Sequence, residues 1–297
     1  MATSSTADIL LKIMLAKAVT DVFPDLYQWK NTYKEYIRLI HPDVCAHPNS
    51  HAAVTKLNQF KNDLEIGRKY SDEAGEITYN LQQYKIIGNP DLLQTSLRNY
   101  EKLTSFTDDA SKHFRKYMPA NGRLVAPNEL VFDLPQRAVP LTHLGVLPHE
   151  HANWILSRML EFAGWLGQVG YTHAGFNPDS IFVIPENHGL ICTSFYHLTP
   201  TDAQLTTISG KYSAFYPPEI FATKKASLDI DSTLAKRTAI YLLGDTSGSG
   251  VKLLKTHNNA IINFLQKKHL DPFHCYQEYR ELLKQHFDTK IFHILNV

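Results

Sequence analysis

Two histidine-bearing segments and one glycine-rich segment carry the residue types that could do chemistry. In the first, His41, Cys45, His47 and His51 bring three imidazoles and a thiol close together, and both groups ligate zinc. Their spacings of four, two and four residues match no common structural zinc pattern, so a solvated polar loop is expected there and no metal. This segment begins with His41-Pro42-Asp43 and is preceded by Lys30, Lys34 and Arg38, four residues apart. On a helix that spacing puts the three cations on one face, a stripe suited to an acidic partner, while Pro42 stiffens the turn that presents His41 and Asp43. In the second segment, His173-Ala174-Gly175-Phe176-Asn177-Pro178-Asp179-Ser180-Ile181-Phe182, one imidazole accompanies one carboxylate, Asp179. The third, residues 244–250, has the glycines of a phosphate loop but lacks the G-x-x-x-x-G-K-[ST] order, so a flexible helix–helix connection is expected. No Ser/His/Asp triad or nucleophilic cysteine is legible; Cys192 reads as an inert thiol on a buried strand.

These segments belong to a chain of 297 residues, 43% hydrophobic, which is enough for a real core and for two domains. Lys plus Arg number 30 and Asp plus Glu 29, a net charge of +1, which argues against a wholesale grip on nucleic acid or an anionic membrane. The 15 histidines would raise that charge to +16 if all were protonated, so acid should stress the fold where they lie buried and neutral. Three scattered cysteines, Cys45, Cys192 and Cys275, give no disulfide framework and fit a reducing compartment. Residues 1–8 carry no basic leader and no apolar run reaches the ~18 residues of a membrane span, so a cytoplasmic protein is expected.

The elements that must position these residues follow from periodicity and breakers. Ile9, Leu10, Ile13, Met14 and Ala18 predict a first helix, broken at Phe23-Pro24-Asp25. A second helix is expected over 26–39, with Trp29, Tyr33, Tyr36, Ile37 and Ile40 on one side, ending at His41-Pro42-Asp43. A third, over 51–64, turns Ala53, Leu57, Phe60 and Leu64 inward, and the polar stretch 69–75 reads as a domain boundary. Beyond it, 77–87, 92–103 and 129–133 read as β-prone, with one helix over 108–117 among them. A long amphipathic helix over 149–169, a short hairpin over 181–192, and helices over 234–243, 260–268 and 272–286 complete the pattern. In the last, Phe273, Tyr276, Tyr279, Leu283 and Phe287 form an apolar stripe, read as core or as a partner groove.

The cationic helix, the His-Pro-Asp turn and the phrase Leu57-Asn58-Gln59-Phe60 in the following helix resemble the J domain of DnaJ-type co-chaperones over residues 7–66. The resemblance implies that Lys30, Lys34, Arg38, His41, Pro42 and Asp43 engage a DnaK-type chaperone and stimulate its ATP hydrolysis.

The segment from His173 to Phe182 resembles the catalytic loop of protein kinases, His-Arg-Asp-Leu-Lys-Pro-x-Asn-Ile-Leu. His173, Phe176, Pro178, Ile181 and Phe182 match its scaffold, whereas the family's base aspartate falls on Gly175, its lysine on Asn177 and its metal-binding asparagine on Ser180. Ser194-Phe195-Tyr196 stands where the family has Asp-Phe-Gly, Tyr216-Pro217-Pro218-Glu219 resembles Ala-Pro-Glu, and Asp231 falls on the aspartate that buttresses the loop. Phosphoryl transfer needs a phosphate cradle, a lysine, metal-binding carboxylates and a base. No G-x-G-x-x-G occurs, and Arg98 and Lys102, on an expected strand, make poor candidates for the lysine. The resemblance over 75–297 therefore implies a pseudokinase, with Glu219 in a structural role, paired with an arginine such as Arg280.

The expectation is a multidomain chain: an N-terminal all-α, J-domain-like helical hairpin over 1–70, then a two-lobed α+β kinase-like domain over 71–297. Its expected role is a co-chaperone-like adaptor without cofactor or turnover, recruiting a DnaK-type chaperone and binding an unknown client or partner protein, in the cytoplasm (the host's, for a phage or viral chain). The rival readings are a divergent active phosphotransferase of kinase fold, with Asp179 recruited as its acid, and a pure interaction module.

Overall fold

The computed structural model describes residues 5–17, 19–25, 28–65, 68–80, 82–135, 138–287 and 295. The first described residues form a reciprocal cap: the Ser5 hydroxyl accepts from the Asp8 amide, and the Asp8 carboxylate accepts from the Ser5 amide, both at 3.2 Å. Helix α1 (Thr6–Leu15) buries Ile9, Leu10 and Ile13. The short α2 (Val19–Val22) stops at Phe23, before Pro24, as the break predicts. Ala18 and residues 26–27, to which the first two expected helices extend, lie outside the described residues.

Helices α3 (Trp29–Ile40) and α4 (Ser50–Glu65) follow. Tyr33, early in α3, donates to Asn58 late in α4 at 2.8 Å, and Lys61 stands 5.3 Å from the Tyr33 ring, so the two helices run antiparallel. Ala53, Leu57, Phe60 and Leu64 are buried as the periodicity predicts, against Ile9, Ile13 and Trp29. Lys56 ties α4 to the end of α1 by donating to the carbonyls of Met14 and Ala16 at 2.8 and 2.6 Å, a cation on the free acceptors of a helix C-terminus.

A five-stranded antiparallel sheet comes next, built from β1 (Arg68–Ser71), β2 (Gly75–Tyr79), β3 (Gln83–Gly88), β4 (Ala120–Ala126) and β5 (Glu129–Asp133) in the order β1-β2-β3-β5-β4. The polar stretch expected as a boundary is thus an edge strand and its turn; over 69–71, Lys69 and Ser71 are exposed and Tyr70 is half-buried, which hides its strand character. Gly75 has φ +144°, and a Cβ there would lie 2.3 Å from the Ile87 carbonyl, so β2 and β3 close only with glycine.

Residues 92–103, expected as strand, form helix α5 (Pro90–Thr104) packed on β4 and β5. Asn89 caps it by accepting from the Asp91 and Leu92 amides at 3.0 and 3.4 Å, Pro90 takes the first turn, and Leu93, Ser96 and Leu103 are buried at helical spacing. Helix α6 (Asp109–Phe114) continues as a 3-10 turn to Tyr117.

The remainder is mostly helical around α7 (His149–Gln168), which is buried on most of its faces, more enclosed than an amphipathic surface helix. Strand β6 (Val139–Pro140) precedes it; β7 (Tyr171–Thr172), β8 (Ile181–Ile184), β9 (Gly189–Cys192) and β10 (Thr199–Pro200) follow, with β8–β9 the expected hairpin. Helices α8 (Ile220–Thr223), α9 (Asp229–Leu242), α10 (Asn259–Gln266) and α11 (Pro272–His286) close the chain. On α11 Tyr279 is fully buried and donates to Asn153 of α7 at 2.7 Å, while Phe273 and Phe287 stay exposed, so the stripe is core in its middle and surface at its ends.

The fold is mixed α/β, an N-terminal helical region followed by a sheet-containing part. Two hydrophobic clusters match this division: one among α1–α4, the other running from Ala74 to Leu295. They meet at Val139, which is buried against the helical cluster. Among the described residues no helix is long and apolar enough to cross a membrane.

Candidate functional site

The end of α3 sets the first candidate site. Lys30, Lys34 and Arg38 are exposed on one side of the helix, and among the described residues none of them is ion-paired. The helix closes through the His41 amide, which donates to Ile37 at 3.0 Å, and the turn closes through the Val44 and Cys45 amides, which donate to the His41 carbonyl at 2.9 Å each. The His41 ring faces Asp43: its Nδ1 accepts from the Asp43 amide and lies 3.3 Å from the carboxylate. The side chains are 45% and 84% exposed, so the turn holds its shape while leaving most of both groups in water. Nearby, His47 Nδ1 accepts from the Asn49 amide at 3.1 Å, a local turn contact. Among the described residues no three His, Cys, Asp or Glu side chains gather where a metal ion could sit.

The second candidate site is a buried loop hung on a carboxylate. The amides of His173 and Ala174 donate to the two oxygens of Asp231 on α9, each at 2.7 Å. Burial pushes that carboxyl up to about 7, against the pull of both amides. Ala174 is held at φ +55°, a left-handed conformation that costs an L-residue roughly 1 kcal/mol and needs its surroundings to hold it. Tyr216 supplies part of that hold by donating to the Ala174 carbonyl at 2.6 Å. Asn177 accepts from the amides of Asp179 and Ser180 at 3.0 and 3.1 Å, and Ser180 donates to the Gly175 carbonyl at 2.5 Å. Asn177 and Ser180 are therefore occupied in shaping the loop.

His173 is fully buried between Phe176 and Phe195, with ring centroids 4.7 and 5.8 Å away. Neither ring nitrogen has a well-aligned partner, and burial pushes its pKa down to about 3, slightly offset by the neighbouring Thr193 backbone. Gly175 has no room for a side chain: a Cβ would lie 2.6 Å from the His197 ring. The loop's one free acid, Asp179, is paired with Lys211 at 2.5 Å, and its carbonyl accepts from Tyr70 at 3.2 Å.

No family model matches this chain, and no curated protein does.

Facing the loop are phenols and acids from β3, from the β1–β2 turn and from the segment 194–197. Tyr84 of β3 is fully buried with its hydroxyl 3.4 Å from that of Ser194, which is itself at φ +63°. Tyr196 donates to Asp72 in the β1–β2 turn. Glu73 in the same turn accepts from the Gly210 amide and stands 3.9 Å from His197. Asn99 of α5 donates to the carbonyls of Phe195 and Leu198 at 2.8 Å each, joining helix to loop. Burial pushes Asp72 up to about 6 and His197 down to about 4, and raises Tyr84 and Tyr196. The space between sheet and loop is thereby filled by Tyr84, Tyr196 and Phe182, all fully buried.

Three expectations need correction. Glu219 pairs with Lys268, whereas Arg280 lies 5.6 Å from the Tyr276 ring on its own helix. Arg98 and Lys102 sit on α5, where Arg98 contacts Thr95 and Lys102 lies over Phe106, because 92–103 is helix and not strand. Residues 244–250 form an ordered loop whose donors converge on Asp245: the Ser247 and Gly250 amides at 3.1 and 2.9 Å, the Ser247 and Ser249 hydroxyls at 2.6 and 3.1 Å. That carboxylate takes the place a phosphate would need. Cys192 is fully buried with its thiol pushed well up, as an inert strand cysteine should be. Asp72, Tyr84, Asn99 and Lys211 carry no signal in the sequence beyond the inward alternation of β3 around Tyr84, and Tyr196 stands out there only as the last residue of Ser194-Phe195-Tyr196.

Proposed function

We propose that the chain is an adaptor in two parts. Residues 7–66 act as a J-like unit that recruits a DnaK-type chaperone through Lys30, Lys34, Arg38, His41, Pro42 and Asp43. The rest acts as a kinase-like, catalytically inactive part that binds a client or assembly partner. One observation carries the proposal: an unpaired row of cations leads into an exposed His-Pro-Asp turn at the junction of two antiparallel helices. Among the described residues none of these side chains is ion-paired to another element, so a partner accounts for them better than the fold does. An acidic surface would be steered by the cations and then read by the stiff turn.

The kinase-like reading of the second part is supported by the loop's suspension from Asp231, by the ring contacts of Tyr100 with Phe195 and of Phe195 with His173 at 5.8 Å each, and by the anchoring of α5 to the segment 195–198. Its inactivity is supported by chemistry. Phosphoryl transfer needs a lysine on the phosphates and carboxylates for the metal. Gly175, Asn177, Ser180 and Ser194 supply no carboxylate, Asp179 is held by Lys211, and the inward residue of β3 that meets Ser194 is a tyrosine.

The test is steady-state ATP hydrolysis by a DnaK-type chaperone with the full chain and with His41→Gln. Wild type should raise the rate and His41→Gln should return it to baseline; equal rates at baseline for both would overturn the first part. For the second, ATP with magnesium or manganese should neither raise the melting temperature nor lead to label transfer. A shift together with transfer would favour an active phosphotransferase.

A further inference from the structure

Away from both loops, Pro217, Pro218, the middle of α9 and residues 265–268 wall an open pocket of about 300 Å3. Four cations line it, Lys236, Arg237, Lys267 and Lys268, against one acid, Glu219. Two of the four are answered by carboxylates: Lys268 by Glu219 and by Asp229 at 3.6 Å, and Lys267 by Glu278 at 2.7 Å. The other two are not. Lys236, only 2% exposed, donates to the Lys267 carbonyl and to Nδ1 of His269 at 2.8 Å, both neutral acceptors. Because Nδ1 accepts there, His269 is the neutral tautomer that points its Nε2–H at Glu278, 3.2 Å away. Arg237 donates to the Ala214 carbonyl, and among the described residues it is in no ion pair.

Two neighbouring cations in a half-enclosed site, without a counter-charge in contact, are costly to keep out of water. An ammonium has three donors and a guanidinium five, so both retain capacity after these bonds. The lining also includes the apolar side chains of Pro217, Pro218 and Leu265.

We propose that this pocket binds a small phosphomonoester, with the phosphate on Lys236 and Arg237 and its apolar remainder on Pro217, Pro218 and Leu265. A phosphomonoester carries nearly two negative charges at neutral pH and so balances the two unanswered cations, where a carboxylate balances one. The guanidinium fork also fits two phosphate oxygens at once.

Calorimetric titration of the full chain with phenyl phosphate, inorganic phosphate and benzoate at constant ionic strength tests this. Phenyl phosphate should bind saturably and more tightly than either of the others. Arg237→Gln, a partly exposed change, should weaken it at least about tenfold, the loss of one charge-assisted contact. Lys236→Met should weaken it similarly, with circular dichroism checking that each variant is folded, while Glu219→Gln should bind as well as wild type or better. No saturable binding of phenyl phosphate by wild type, equal affinity for benzoate, or undiminished binding by folded Arg237→Gln would each overturn the site.

Discussion

The chain contains two loops that begin with histidine and include a proline, one after helix α3 and one after strand β7, and their physical circumstances are opposite. At residues 41–43 the ring is half in water, its aspartate almost wholly so, and among the described residues the side-chain bonds of the two are to each other. At residues 173–180 the ring is sealed among phenylalanines, the amides hang on Asp231 58 and 57 residues away, and even a methyl group at Gly175 has no space. The first loop contributes little to the fold and is free to meet a partner. The second contributes heavily to the fold and has little left for chemistry. Substitutions in the two should therefore separate stability from function.

The largest effect is expected at Asp231. Asp231→Ala strands two buried amide donors, each worth about 1–3 kcal/mol when left unpaired, and releases Ala174 from its left-handed conformation. Urea unfolding should register a loss of roughly 3–5 kcal/mol. A loss under about 1 kcal/mol would mean that the loop is held by packing alone, and the comparison between the loops would break there.

Next comes Gly175→Asp, which places an acid where the proposed kinase-like reading lacks one. Its Cβ would lie 2.6 Å from the buried His197 ring, so the backbone or the ring must shift, at about 1–3 kcal/mol for overpacking. The variant should unfold earlier than wild type and transfer no phosphate. A stable variant that gains label transfer would show that the site was disarmed by one residue only.

A pH series sharpens the comparison further, because the buried region contains groups that oppose one another. His173 and His197, at about 3 and about 4, lie below the ordinary 6.5; the stability they confer is complete above 6.5 and lost as pH falls from there through their folded values. Asp72 and Asp231, at about 6 and about 7, lie above the ordinary 3.8; the stability they confer is complete below 3.8 and lost as pH rises through 6 and 7. Between pH 6.5 and 4 the two sets largely cancel, so acid stresses this fold less than its histidines alone imply. Asp72→Asn removes one member of the second set while keeping a hydrogen-bonding partner for Tyr196. It should stabilise the protein by about 1–2 kcal/mol at pH 7, allowing for partial exposure, and the gain should vanish near pH 4. A gain that persists at pH 4 would mean that the Asp72 charge is not what costs stability.

The two regions also differed in how much the sequence disclosed. The α3–α4 pair was legible because its signals are local: apolar spacing for Leu57, Phe60 and Leu64, a four-residue period for the cations, and proline at the turn. The His173 loop was legible as a pattern, and Asp231 as its buttress, but the wall opposite was not. The contacts from Asp72 to Tyr196 and from Tyr84 to Ser194 join residues 124 and 110 apart, and nothing near either partner announces the other. Residues 92–103 form α5 and not the expected strand because the cap at Asn89-Pro90, the three-to-four-residue spacing of Leu93, Leu97, Tyr100 and Leu103, and the helix propensity of leucine all favour helix. In β1 the reverse happened, since a short edge strand with one inward tyrosine carries too little alternation to stand out from a linker.

The smallest effect on stability is expected where the largest effect on function is. His41→Gln, Asp43→Asn and Lys34→Ala change groups that, among the described residues, bond to no other element, so each should move the unfolding free energy by no more than about 0.5 kcal/mol. The same three should nevertheless cut the stimulation of a DnaK-type ATPase, and by different routes. His41→Gln and Asp43→Asn alter the reading turn and should abolish stimulation at any salt concentration. Lys34→Ala removes one of three steering charges and should weaken stimulation mainly at low ionic strength, where unscreened attraction reaches beyond about 10 Å. If Lys34→Ala were as damaging at high salt as at low, the cation would be in desolvated contact with the partner instead of steering it from a distance. If all three destabilised the chain by more than about 1 kcal/mol, the turn would be a structural element after all, and the contrast with the buried loop would fail at its exposed end.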